Sequence, residues 1–302
     1  MALRASNERT ASVASPDVPF PARLERFGVV DSTNDVVRAW LRDGVPEVCL
    51  AIADEQRAGR GREGRRWLAE PGFALLASFG FRPTWLPPER TWRLAAIVAL
   101  AAADAAEEAA GLAEGTVRLK WPNDLVVVFG GHGRAVGGAA NLAPDASIDV
   151  RKLAGLLGES DGLDSTEPHV VVGLGLNADW PAEAFPLELA AEMTSLRQAS
   201  GGRPIDREEL LDGLLARLET RFEALREGYF DVAGWQDRQL TSGRLVRLEA
   251  PGAAPEVVRA IGVDPLSGAL LVADRDGDGK RLAGERAVFA GEIHHLRLGA
   301  TL

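Results

Sequence analysis

The chain has 302 residues, 46% hydrophobic and 26% charged, with a formal net charge of −10. That is the composition of a globular protein with a sizeable core and more than one domain, and its acidic balance argues against general binding to nucleic acid or membrane surfaces. Cys49 is the only cysteine, so an intrachain disulfide is excluded and a reducing, cytoplasmic setting fits.

Residues 1–22 lack an apolar run and are rich in Ala, Ser and Pro, which reads as a loose leader rather than a secretory signal. Residues 23–30 (RLERFGVV) predict a short strand. DSTND follows, with Ser32 placed to cap a helix over 33–43 and Asp35 at the reciprocal capping position. VCLAIAD (48–54) predicts a second strand and FALLASFGF (73–81) a third, buried one. Residues 87–111 begin with prolines and end at glycine, the marks of a long helix. Its apolar run, Leu94 to Ala106, is too short to span a bilayer. Residues 117–129 (VRLKWPNDLVVVF) predict strand, turn and strand, and the Gly/Ala-rich stretch 130–150 a surface insertion. KLAGLLGE (152–159) and HVVVGLGLN (169–177) predict paired strands, with Lys152 at a strand entry. Helical periodicity returns over 206–228, and 229–240 fits a shorter helix. From 241 to 302 short alternating runs between Gly, Pro and Asp turns predict a small all-β domain.

The most unusual stretch is GRGREGRRW (59–67). With Arg57 it gathers five arginines among ten residues, on a glycine-rich backbone, in an acidic protein. Arginine forks bind phosphate or carboxylate bidentately, and glycines let the backbone wrap a ligand. Trp67 closes the segment with a flat apolar surface. A solvated basic loop and an RNA-binding Arg/Gly tract are the competing readings. Only Lys120, Lys152 and Lys280 are lysines, against 34 basic residues in all. Two of them stand beside turn residues or glycine: Lys120 before Pro122-Asn123-Asp124, and Lys152 ahead of Gly155. GLGLN (173–177) lacks the third glycine and following helix of a dinucleotide fingerprint, although the Asn177 amide could still read an adenine edge.

A second motif competes. Asp274, Asp276, Asp278, Gly279 and Glu285 satisfy the spacing of a calcium loop. Such a loop needs a helix on each side, whereas these flanks alternate like strands, so an acidic hairpin turn is the better fit. The histidines have no zinc spacing: His294 and His295 are adjacent and face opposite sides of a strand, while His132 and His169 lie apart.

Taken in order, DSTN (31–34), EQRAGRGREGRRW (55–67), LKWPND (119–124), KLAGLLGE (152–159) and GLGLN (173–177) resemble the biotin protein ligase family. The resemblance covers about 23–240. It implies an α+β catalytic domain there, a mixed β-sheet flanked by helices of the class II aminoacyl-tRNA synthetase-like biotin/lipoate ligase type. The tail, 241–302, resembles the family's SH3-like β-barrel. The stretch from Phe129 to Val150 is longer than in shorter members, and no DNA-binding module precedes residue 23, so the chain looks like the monofunctional type.

The resemblance further implies two reactions. Biotin and ATP, with Mg2+, give biotinyl-5'-AMP, and the biotinyl group then passes to a lysine of a biotin carboxyl carrier protein. On that basis Lys152 and Arg62 are the catalytic residues. Ser32, Thr33, Asn34, Gln56, Gly59, Arg60, Gly61, Arg62, Lys152 and Gly155 would bind biotin. Arg60, Arg62, Arg65, Trp67, Lys120, Asn123, Asp124 and Asn177 would bind ATP and the adenylate. No direct metal ligand is implied beyond Asp124. The implied partners are the carrier protein and the two small substrates, without DNA or membrane, in a monomer or weak homodimer. A lipoate or octanoate ligase is the nearest rival; those share KLAG-like residues but lack GRGRxGRxW. The arginine loop should be mobile when empty, since its cations repel one another.

Overall fold

The computed structural model describes residues 19–130, 133–138, 148–275 and 281–295. Strand β1 (Arg23–Val30), helix α1 (Thr33–Arg42) and strand β2 (Cys49–Gln56) form a unit in which β1 and β2 run parallel. Strand β3 (Ala74–Phe81) pairs antiparallel with β2. After the long helix α2 (Trp92–Ala109) come β4 (Val117–Lys120), β5 (Asp124–Phe129), β6 (Asp149–Asp161) and β7 (His169–Asn177). The seven strands make one mixed sheet in the order β1-β2-β3-β7-β6-β5-β4, antiparallel beyond the first pair.

Period-two alternation in β7 decides what covers each face. Val170, Val172, Leu174 and Leu176 point into the main core, shared with α2 and α4 (Arg207–Arg226). Val171 points the other way, under α1, with Val37, Leu41 and buried Cys49. Burial pushes the Cys49 thiol up to about 11, which leaves it un-ionised at neutral pH. The alanine-rich α2 is buried on most sides, as its composition predicts. It starts later than predicted. Pro88–Arg90 form a separate 3-10 turn, and α2 begins at Trp92. Asp206 caps α4 by accepting from the Glu208 and Glu209 amides.

Three further differences matter. Strand β6 begins at Asp149, so Lys152 lies inside a strand and not at its entry. Ser32 occupies the N-cap position of α1 without a side-chain cap bond, and Asp35 reaches outward to arginines instead of back to the cap. The segment from Ala178 to Pro204, which no pattern resolves, carries the short helix α3 (Leu196–Ala199) and an apolar knot of Trp180, Phe185 and Met193.

Helix α5 (Val232–Asp237) leads into a second, antiparallel sheet. Its strands are β8 (Leu245–Glu249), β9 (Glu256–Val263), β10 (Leu270–Arg275), β11 (Arg281–Val288) and β12 (Glu292–His295), ordered β11-β10-β9-β8-β12. Strands, not helices, flank the calcium-like motif; Asp276, Asp278 and Gly279 themselves lie outside the described residues, as does His132. Among the described residues no helix is long and apolar enough to cross a membrane.

A buried ion pair joins the parts. Arg238 donates to both Glu107 oxygens at 2.9 Å and to the Val117 carbonyl at 2.8 Å. Burial alone would weaken its charge, but the Glu107 bonds and the nearby Asp104 outweigh that and hold the guanidinium above its usual range. Truncating Arg238 strands a buried carboxylate. Arg238→Ala is therefore expected to cost about 3–5 kcal/mol in urea unfolding, and a loss below about 1 kcal/mol would contradict this brace.

Candidate functional site

The face of the sheet that carries α1 holds a cavity of about 830 Å³. Its floor is bare backbone. A Cβ on Gly173 would sit 2.4 Å from Asn34 Oδ1, and one on Gly175 would sit 2.4 Å from Trp67 Cε2. Gly155 faces Gly175 across β6 and β7, and a Cβ there would meet the Trp67 ring at 3.1 Å and Lys152 Nζ at 3.2 Å. The glycines of KLAG and GLGLN therefore make room for side chains of this protein: the Trp67 indole lies on them, and Asn34 on their neighbour.

Lys152 and Gly155 are three residues apart, so strict alternation would put them on opposite faces. A β-bulge resolves this. Leu125 pairs with Ala154 and Val126 with Lys152, leaving Leu153 as the extra residue. Both Lys152 and Gly155 then line the cavity. The bulged backbone is held from outside, since the Lys152 amide donates to Glu192 O at 2.7 Å and Thr194 N donates to Lys152 O at 2.8 Å. Lys152 Nζ lies 2.7 Å from Asp124 Oδ1 and 5.5 Å from the Trp67 ring centroid. Asp124 is placed by the turn between β4 and β5. Asn123 stitches that turn to β6, with its Nδ2 donating to Leu156 O at 2.6 Å and its carbonyl accepting from Leu156 N at 2.8 Å. Lys120, half-buried, lines the same wall.

One end of the cavity is neutral and polar. Gln56 Oε1 accepts from the Thr33 amide at 2.8 Å and from Thr33 Oγ1 at 3.0 Å. Thr33 Oγ1 lies 2.6 Å from Ser78 Oγ, which donates to Asn34 Oδ1 at 2.6 Å. Asn34 Nδ2 donates to Glu159 Oε2 at 2.7 Å. This chain orients the side chains and leaves Ser32 Oγ, which makes no cap bond, on the cavity wall.

The arginine loop forms a further part of the wall. It closes as a narrow ribbon, with Trp67 N donating to Gly59 O at 3.0 Å and Gly61 N donating to Arg65 O at 2.7 Å. The Arg62–Gly64 turn sits at its tip, with Glu63 in the left-handed region. Acids offset the repulsion expected from its composition. Arg60 forms a fork on Asp35, both bonds 2.7 Å, with Glu159 at 3.4 Å. The Arg60 bond holds the Asp35 carboxyl below its ordinary value, and Asp35 in turn raises Arg60. Arg62 donates to Gly291 O of the second sheet at 3.2 Å, and Arg66 to Arg57 O at 3.0 Å.

The cavity thus gathers Ser32, Thr33, Asn34, Gln56, Arg60, Gly61, Arg62, Arg65, Trp67, Lys120, Asn123, Asp124, Lys152 and Gly155. Two predicted residues stand apart. Asn177 is fully buried and does not line the cavity; its Nδ2 donates to Thr194 O at 2.9 Å, while its Oδ1 makes no hydrogen bond within the protein. Gly59 is not a wall residue; a Cβ there would sit 2.8 Å from Trp67 O, so it serves closure of the ribbon. Sequence reading missed Ser78, Glu159, Trp121, the loop from Leu189 to Met193, and Arg247, Glu249, Ile293 and His294 of the second sheet. Ser78 had a signal: it is the one hydroxyl in an otherwise apolar strand.

A cavity with an uncharged hydrogen-bonding end and a cationic end, meeting at a lysine–aspartate pair, defines an enzyme that handles an acidic substrate beside phosphates. The chain belongs to the biotin/lipoate A/B protein ligase family, whose model matches residues 27–177. It is 32% identical over 277 residues to the biotin–[acetyl-CoA-carboxylase] ligase of Mycobacterium tuberculosis, covering 91% of this chain and 90% of that protein. It is 29% identical over 279 residues to the bifunctional ligase/repressor BirA of Bacillus subtilis, covering 89% and 77%. Among solved structures it resembles the Aquifex aeolicus biotin protein ligase in complex with biotin and ATP, with a TM-score of 0.66, 25% identity, and 91% and 99% coverage.

The Arg60–Asp35 clasp is partly exposed, which limits its strength. Asp35→Asn should speed tryptic cleavage within residues 60–66 by roughly two- to fivefold at pH 7. Because the Asp35 carboxyl is held low, the wild-type clasp should persist as pH falls to the ordinary carboxylate range and be lost only below it. Equal cleavage rates in both proteins would contradict the clasp.

Proposed function

We propose that this chain is a biotin protein ligase: it activates biotin as biotinyl-5'-AMP and passes the biotinyl group to a lysine of a biotin carboxyl carrier domain. The observation that carries the reading is Lys152, which lines one cavity together with the polar residues and the arginine loop, pairs with Asp124 and lies close over Gly155.

In the first step a biotin carboxylate oxygen attacks the α-phosphorus of ATP, and pyrophosphate leaves. Lys152 reaches both the carboxylate and the α-phosphate and offsets the charge that develops there. Arg60, Arg62 and Arg65 hold the anionic groups from the loop. In the second step the carrier amine attacks the acyl carbonyl, and AMP leaves. Ser32, Thr33 and Gln56 face the ureido ring, whose N–H and C=O groups need matched partners; the dithiolane of lipoate offers none. That difference favours biotin over lipoate. Trp67 flanks the adenylate, with Lys120, Asn123 and Asp124 on the nucleotide side. No group of three or more metal-ligating side chains occurs among the described residues. Asp124 is already paired with Lys152. Magnesium would therefore come on the triphosphate, and no step is assigned to it.

In the same reading, residues 23–240 form a class II synthetase-like catalytic domain and 241–302 an SH3-like barrel. The protein works in the cytoplasm as a monomer or weak dimer, without DNA. The test is incubation with biotin, MgATP and a carrier domain, followed by detection of biotinylated carrier. Lys152→Ala should cut the rate by about 100-fold or more, and full retained activity would overturn the assignment.

A further inference from the structure

One turn of the second sheet meets the first unit at three hydrogen bonds. Residues 264–269 join β9 to β10, and Asp264 ties the turn by accepting from Leu266 N at 3.2 Å and Ser267 N at 3.1 Å. Folded this way, the turn presents three carbonyls to three donors of the first unit. Arg93 Nη2 donates to Pro265 O at 3.1 Å, Trp92 Nε1 to Leu266 O at 3.2 Å, and Trp121 Nε1 to Gly268 O at 3.1 Å. Gly268 has φ +73°, and a Cβ there would sit 2.9 Å from Trp92 Cδ2, so the turn fits its seat closely.

Trp121 differs from the other two donors. It is buried and lines the cavity, and it stands in the same tight turn as Asn123 and Asp124. Asp124 carries the 2.7 Å pair to Lys152. A displacement of Trp121 is passed to Asp124 through only two intervening residues, of which Pro122 is rigid. The rest of this hairpin is already fixed, since Leu119 bonds the backbone of Arg238 and Leu240. The indole–carbonyl bond therefore restrains the Trp121 side of the turn, as the Asn123–Leu156 bonds restrain its other side.

We propose that Trp121 is a positioning residue through which the 264–269 turn of the second sheet holds Asp124 and Lys152 in register for the nucleotide. The proposal rests on the ligase reading above. It predicts a larger effect on ATP than on biotin: Lys152 meets both substrates, but biotin keeps its ureido contacts at the neutral end, built on α1, β2 and β3.

The experiment compares wild type, Trp121→Phe and Gly268→Ala in adenylate formation, varying ATP and biotin separately, with thermal melting measured alongside. Trp121→Phe keeps an aromatic ring but removes the N–H together with part of the buried indole, so Gly268→Ala, which leaves Trp121 intact, is measured beside it. Trp121→Phe should raise KM for ATP roughly three- to tenfold while KM for biotin stays within about twofold. Gly268→Ala, which lies outside the cavity, should raise KM for ATP in the same direction. An unchanged KM for ATP in Trp121→Phe would overturn the proposal, as would equal rises for both substrates or a fall in kcat alone with a lower Tm. Failure of the wild type to form adenylate would instead overturn the ligase reading.

Discussion

The site depends on one constraint, the absence of Cβ atoms along a strip of the central sheet. Gly155, Gly173 and Gly175 leave backbone bare where β6 and β7 pair. Any larger residue at Gly175 would occupy the volume of the Trp67 indole, and any at Gly173 that of the Asn34 amide. The tryptophan therefore seats the arginine loop, and the asparagine seats the start of α1. Both walls of the cavity are set from the floor up.

The reactive pair needs a second device. A lysine and a glycine three apart on a strand cannot share a face without an irregularity, and the bulge at Leu153 supplies it. The bulge disturbs the ladder, and the segment after β7 compensates by taking up the Lys152 backbone through Glu192 and Thr194. Buried Asn177 then braces Thr194. Asn177 is thus tied, through Thr194, to the backbone of Lys152.

Much of this was legible in the sequence, and the limits have physical causes. Strand alternation and helix punctuation located the sheet, α2, α4 and the second sheet, because burial imposes those periods. The motifs located most of the cavity wall, because glycine, lysine and arginine are scarce choices where packing alone would take alanine or valine. The bulge was not legible, since nothing local distinguishes an extra strand residue from an ordinary one. The burial of Asn177 was missed because a buried amide and an exposed one share the same chemistry. Arg247 and His294 were missed because only the docking of the second sheet brings them to the cavity, and the Trp121 bond to Gly268 because its partner is far away in sequence.

The central claim is that the neutral end of the cavity recognises a ureido ring while the cationic end activates its carboxylate. Mass spectrometry of the acyl-adenylate, after mixing the protein and MgATP with equal biotin and lipoate, tests it most directly. Biotinyl-5'-AMP as the dominant product is the predicted result. Lipoyl-AMP in equal or greater amount would contradict it.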